Sequence, residues 1–138
     1  MNTALRSIGS IFIGYATIVL GAIVFQDLLF GGLSYAKSPA SELIIGGGLT
    51  ALSAAAGGYL LGMVAPFRPI LHSVPLVVWL CIERTIIHIQ GITAAPLWFD
   101  IVSGSGEVAG VVIGVCMYSR VSSRARSWRL ALCFRRSR

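Results

Sequence analysis

The sequence predicts an all-α integral membrane protein, a bundle of four membrane-spanning helices followed by a basic amphipathic tail. Of the 138 residues, 56% are hydrophobic and only 12% are charged, whereas about a quarter of the residues of an ordinary soluble domain are charged. The mean hydropathy is +0.84. So few charges could not cover such a core in water, and so many apolar side chains exclude a disordered chain.

The first span is expected near residues 8–30. Twenty uncharged residues separate Arg6 from Asp27, and at 1.5 Å per residue such a helix is about as long as the hydrocarbon core is thick. A cleaved signal peptide is the alternative, because residues 34–36 resemble a small-x-small cleavage site. The apolar run is long for a signal peptide, which favours a retained span.

Three further spans follow, near residues 42–65, 70–90 and 97–118. The second lies within twenty-five residues without a charge. Pro66 and Pro69 follow it, and proline both stops one helix and is favoured in the first turn of the next. The four spans form one predicted domain, residues 1–118, and the basic tail covers residues 119–138.

The net charge of +6 belongs to the tail rather than to the body. The tail contains seven of the eleven basic residues and no acidic residue, whereas the preceding residues contain four basic and five acidic ones. With both termini in the cytoplasm, nine basic residues face inward and only Lys37 faces outward. Because cytoplasmic loops carry the excess of lysine and arginine, the sequence predicts cytoplasmic N- and C-termini.

The tail also has an apolar face. Val121, Ala125, Trp128 and Leu132 recur at helical spacing among the arginines. This pattern predicts a helix that lies on anionic lipid headgroups. Arginines so close to a membrane span are typical of lipid contacts, so a nucleic-acid partner is not expected.

Small residues recur at every fourth position in the second and fourth spans. They allow helix backbones to approach closely in lipid, where van der Waals contact drives association. The two spans are expected to pack closely, either on each other or each on another helix, and a homo-oligomer or a membrane-protein partner is the alternative use of these faces. The helix-packing residues are Gly46, Gly58, Gly62, Gly106, Gly110 and Gly114.

Ionisable side chains within spans are costly and by default suggest function. Two interpretations remain open here. In the first, Arg84 neutralises Glu107 or Glu83 and the pair is structural. In the second, the cluster lines an outward-open cavity for a proton, a cation or a small solute. The candidate intramembrane polar cluster is Glu83, Arg84, His88, Asp100 and Glu107.

No enzyme, metal or cofactor motif is recognisable. The sequence lacks GxSxG, Walker, GxGxxG and HExxH patterns, and its histidines and carboxylates lack metal-ligand spacing. Three cysteines are scattered singly, which indicates neither zinc nor disulfides. We therefore expect no catalytic, cofactor or metal residues. The expected function is a non-catalytic structural or accessory membrane component, and the alternative is a small oligomeric transporter.

Several segments resemble a group of small, uncharacterised bacterial four-span membrane proteins. The likeness rests on Gly57-Gly58-Tyr59-Leu60, on the run from Ala65 to His72 and on Pro96-Leu97-Trp98-Phe99, which match GGYL, APxRPxxH and PxWF/Y motifs. The resemblance covers roughly residues 8–118 and implies a bacterial inner membrane but no chemistry. Glu83, Arg84, Glu107 and the arginine tail depart from the group's pattern. The family-like residues are Asp27, Pro66, Arg68, Pro69, His72 and Trp98.

Overall fold

A computed structural model describes residues 2–34, 37–92 and 95–136, with side chains described up to residue 124. Helix α1 spans Thr3–Ala22 and continues into a π-helical segment, Ile23–Leu28. Helices α2, α3 and α4 span Ala40–Val64, Pro69–Ile89 and Leu97–Arg136. The described residues contain no strand, so the all-α fold is confirmed.

All four helices are long and apolar enough to cross a membrane. Their outward surfaces expose large apolar side chains such as Phe12, Ile44, Trp79 and Ile113. A soluble monomer rarely exposes so much contiguous apolar surface, whereas lipid solvates it. The chain is therefore a multi-pass membrane protein, with its fold organised as a four-helix bundle.

Two helix boundaries differ from the sequence-based expectation. Helix α1 begins at Thr3 rather than near residue 8, because the Asn2 side chain accepts a hydrogen bond from the Ala4 N–H at 3.4 Å and caps the helix. Helix α4 continues through residue 118 without a break, since no glycine or proline follows in residues 119–136. The expected apolar face of the tail lies largely outside the described side chains.

The helices alternate in direction. The N-terminus and residues 65–68 lie at one end of the bundle, which we call the proximal end, and the segments that follow α1 and α3 lie at the other, distal end. Around the bundle the order is α1, α2, α4, α3, because α2 packs mainly on α4 and α1, and α3 packs mainly on α4. Helices α2 and α4 therefore run parallel.

The expected close packing of the second and fourth spans is present, and the two helices pack on each other. A Cβ atom built on Gly110 would lie 2.5 Å from the Ala51 carbonyl oxygen, and one on Gly62 would lie 2.8 Å from the Tyr118 ring. Gly58 faces the backbone of Val111, and Gly114 faces the backbone of α2 even more closely. Only glycine permits this backbone approach.

Two of the six expected packing glycines behave differently. Gly106 has no heavy atom within 4 Å of the place a Cβ would occupy, so it takes no part in this seam. Gly46 contacts the side chains of Leu33 and Phe30 rather than another helix. The physical reason is that a cavity lined by Gly47, Thr50, Ser103 and Glu107 separates α2 from α4 at this distal level.

At the proximal end, His72 joins α3 to α1. Its side chain is buried, its Nε2 lies 3.1 Å from the Ser7 hydroxyl, and its ring packs edge-on against Phe67. Pro69 occupies the first turn of α3, where proline is favoured. These contacts give His72 a structural role, because they hold the proximal end of α3 against α1.

Candidate functional site

The buried polar centre of the bundle is an ion pair between Arg84 on α3 and Glu107 on α4. The Arg84 Nε donates to Glu107 Oε2 at 3.1 Å, and an Arg84 guanidinium NH2 group donates to Oε1. The Glu107 side chain is 5% exposed and that of Arg84 is 30% exposed. Such a fork-on-fork pair neutralises both charges and fixes their geometry.

A second pair lies nearer the distal end on the same two helices. The His88 Nδ1 is 2.7 Å from Asp100 Oδ2. His88 is one helical turn beyond Arg84, and Asp100 is about two turns beyond Glu107. The two pairs together connect α3 to α4 over the distal half of the bundle.

Glu83 does not share in either pair. The Tyr15 hydroxyl of α1 donates to Glu83 Oε1 at 3.2 Å. Adjacent residues of a helix point in different directions, so Glu83 faces α1 while Arg84 faces α4. Of the two partners that the sequence left open for Arg84, the structure therefore selects Glu107.

One polar contact was not expected from the sequence. Gln26 Nε2 donates to the Thr50 hydroxyl at 2.9 Å, and that hydroxyl donates to the Gly46 carbonyl oxygen at 2.9 Å. Gln26 lies within the π-helical segment, and π-helical turns often occur at functional sites. In the sequence, Gln26 is an uncharged polar residue at the end of an apolar run. That position does not indicate which residue its side chain contacts.

Two cavities meet at the Arg84–Glu107 pair. The larger has a volume of about 320 Å³ and lies toward the distal end, where Gln26, Thr50 and Ser103 add polar groups. The smaller, of about 220 Å³, lies on the side of α1 and includes Tyr15 and Glu83. Polar cavities of this size hold several waters. The Arg84–Glu107 pair therefore lies between two small cavities, each lined in part by hydrogen-bonding side chains.

A third space, a groove of about 560 Å³ between α3 and α4, is lined mainly by apolar side chains. Arg84, His88 and Asp100 line its wall. The five residues of the expected polar cluster all lie in the distal half and form three contacts, and three of them, Arg84, Asp100 and Glu107, line the distal cavity.

The polar groups of the centre are satisfied within the protein. Among the described residues, every buried side-chain nitrogen or oxygen has a hydrogen-bond partner. In the same part of the chain, no group of three or more histidine, cysteine, aspartate and glutamate side chains could hold a metal ion. Chemically, the arrangement can neutralise charge, donate and accept hydrogen bonds and order water.

The family-like residues lie at both ends of the bundle. Asp27 is exposed at the distal end, and Trp98 is exposed at the start of α4, where its ring packs edge-on against Phe99. Pro66 and Arg68 lie in the proximal connection, and Arg68 adopts a positive φ of 33° just before Pro69. A residue before proline normally avoids such a conformation.

Comparisons of the chain with protein-family models, with curated proteins and with solved structures find no match.

Proposed function

We propose that the chain is a non-catalytic structural or accessory component of a bacterial inner membrane. The observation that supports this is the internal pairing of the buried charges, above all Arg84 with Glu107. A transport site must exchange partners with its substrate, whereas this pair already satisfies both of its members. Unpaired, each charge would be costly in lipid, so the pair is suited to holding α3 against α4.

The proposed partners are lipids and proteins of the membrane. The surrounding bilayer covers the exposed apolar surface, anionic headgroups meet the arginines of the tail, and a second copy or another membrane protein packs on a lipid-facing side. We do not propose a nucleic-acid partner or a cofactor. The resemblance to small bacterial four-span proteins supports the same placement through the Ala65–His72 segment.

We further propose that both termini lie in the cytoplasm, so that the proximal end faces inward. Reporter fusions after Arg68 and Arg138 should then report a cytoplasmic location, and fusions after Ser34 and Gly91 an external one. The reason is the concentration of arginine at the proximal end and in the tail. Activity of an external reporter at Arg138 would contradict this orientation.

A second candidate function is transport of a proton, a cation or a small solute. The distal cavity of about 320 Å³ favours it, because Gln26, Thr50, Ser103 and the ion pair supply polar groups at membrane depth. The cavity leads to the pair, and proximal to it the glycine seam is closely packed. A transporter would therefore need the Arg84–Glu107 contact to open.

Flux in proteoliposomes separates the two functions. For an accessory component we expect no pH-gradient-driven uptake or cation flux above that of empty liposomes. The same null result is expected for Glu107→Gln and Glu83→Gln. Flux that wild-type protein supports and that Glu107→Gln abolishes, with the protein still folded, would favour the transporter. The His72→Gln variant is a suitable control, because its change lies at the opposite end of the bundle.

A further inference from the structure

A polar cleft lies at the proximal end, far from the ion pairs. Its volume is about 410 Å³, and its walls are residues 65–69 of the α2–α3 connection and Tyr118, Ser119, Ser122 and Ser123 of α4. The volume falls within the roughly 300–1,000 Å³ that small-molecule sites occupy. The cleft lies apart from the distal polar cluster, and it borders the glycine seam at Tyr118.

The cleft is positively charged and contains no acid. Among the described residues, Arg68 is the one cationic side chain that lines the cleft, and in the same part of the chain it makes no ion pair. All five acidic residues of the chain lie elsewhere, in the distal half of the bundle or its connections. Nothing among the described groups therefore competes for the guanidinium, which presents a fork suited to phosphate oxygens.

Three serine hydroxyls on α4 also line the cleft. Each hydroxyl donates to a backbone carbonyl oxygen of α4. Ser119 donates to that of Val115 at 2.9 Å, Ser123 to that of Arg120 at 2.9 Å, and Ser122 to that of Ser119 at 3.3 Å. The carbonyl oxygens that accept these bonds are already part of the helix, so the hydroxyls can give up the bonds without leaving the helix unsatisfied. Rotation about the Cβ–Oγ bond can redirect the hydrogen to a phosphate oxygen, most readily at Ser122, whose bond is the longest.

The position of the cleft along the helices indicates which kind of phosphate group would reach it. It lies where the apolar part of α4 gives way to arginine, between the end of α2 at Val64 and the start of α3 at Pro69. Phe67 and Tyr118 line it, and aromatic side chains commonly lie at headgroup depth. Basic pockets between spans at this depth are suited to anionic lipid headgroups.

We propose that this cleft is a specific binding site for the phosphate headgroup of an anionic phospholipid, held by Arg68 and by the serines of α4. The proposal goes beyond the diffuse attraction between the tail arginines and the membrane, because it assigns one lipid to one site. It requires only that the chain spans a membrane, and it does not depend on whether the protein is an accessory component or a transporter.

The test is a lipid titration of the detergent-solubilised full-length protein, with bound lipid counted by native mass spectrometry. We expect phosphatidylglycerol to bind more tightly than phosphatidylcholine with the same acyl chains. Arg68→Gln should weaken phosphatidylglycerol binding about tenfold, since a hydrogen-bonded ionic contact contributes roughly this factor. Arg120→Gln is the matched control, because it removes the same charge from an exposed site outside the cleft, and it should change binding less than about twofold.

Three results would overturn the proposal. Equal weakening by Arg68→Gln and Arg120→Gln would show diffuse electrostatics without a site, and equal affinity for the two lipids would show no anion recognition. Inorganic phosphate that competes as well as the lipid would identify a free-phosphate site instead. Ser122→Leu fills the cleft without altering charge and should also weaken binding. If Arg68→Gln has a lower melting temperature than the wild type in phosphatidylcholine, its weaker lipid binding could reflect lost stability. The binding affinity of Ser122→Leu is then the test, and unchanged affinity in that variant would overturn the proposal.

Discussion

Arg84→Leu is expected to lower the free energy of unfolding by about 3–5 kcal/mol, the usual cost of removing one member of a buried ion pair. The substitution leaves the Glu107 carboxylate 95% buried, as its side chain is only 5% exposed, and without its bidentate partner. The carboxylate then lies buried in the bundle without its counter-charge, which is costly at membrane depth. Reversible unfolding by a denaturing detergent in mixed micelles, followed by the loss of helical signal, measures the change.

The double variant Arg84→Leu/Glu107→Leu distinguishes the role of the pair from that of either residue. Removing both charges also removes the uncompensated carboxylate, so the double variant should regain most of the lost stability. Glu83→Gln is the control at the same depth, because the neutral amide can still accept the hydrogen bond from Tyr15 and should cost less than about 1 kcal/mol. A double variant as unstable as Arg84→Leu would exclude a structural ion pair.

The four helices are predictable from the sequence because lipid imposes a simple constraint. A membrane-spanning helix satisfies every backbone N–H and C=O group within its own segment, so an uncharged run of about twenty residues predicts one helical span. The break between α2 and α3 is equally local, because Pro66 and Pro69 act on the backbone next to them. The end of α1 is different, since the π-helical geometry of Ile23–Leu28 follows from no local residue preference.

The contacts between helices are less predictable because they depend on rotation about each helix axis. The sequence places Arg84 at a depth similar to that of Glu107, yet it also leaves the adjacent Glu83 as a partner. Only the orientation of α3, with Glu83 toward Tyr15 of α1, decides between them. Gly106 illustrates the same limit, because its spacing is identical to that of Gly110 and Gly114, yet no heavy atom lies within 4 Å of its Cβ position.

The glycine seam between α2 and α4 gives the second large expected effect. Gly114→Leu should lower the free energy of unfolding by about 3 kcal/mol, at the upper end of the usual cost of overpacking. A Cβ on Gly114 would overlap the Ala55 carbonyl oxygen and would lie 2.8 Å from the backbone nitrogen of Tyr59. Both obstacles are backbone atoms of a helix, so no side chain can rotate away and α2 must separate from α4. Thermal unfolding in neutral-lipid nanodiscs measures the loss.

Gly106→Leu is the matched control for this prediction. It makes the same substitution on the same helix, two turns away, where no heavy atom lies within 4 Å of the Cβ position. Leucine is also a better helix former than glycine by up to about 1 kcal/mol, so this variant should be neutral or slightly more stable. Equal destabilisation by the two substitutions would mean that the glycines stabilise α4 on its own, and it would contradict a role for Gly114 in packing against α2. A loss confined to Gly114→Leu ties the stability of the bundle to the close approach of the parallel helices α2 and α4. This approach holds the proximal half together, away from the Arg84–Glu107 and His88–Asp100 pairs.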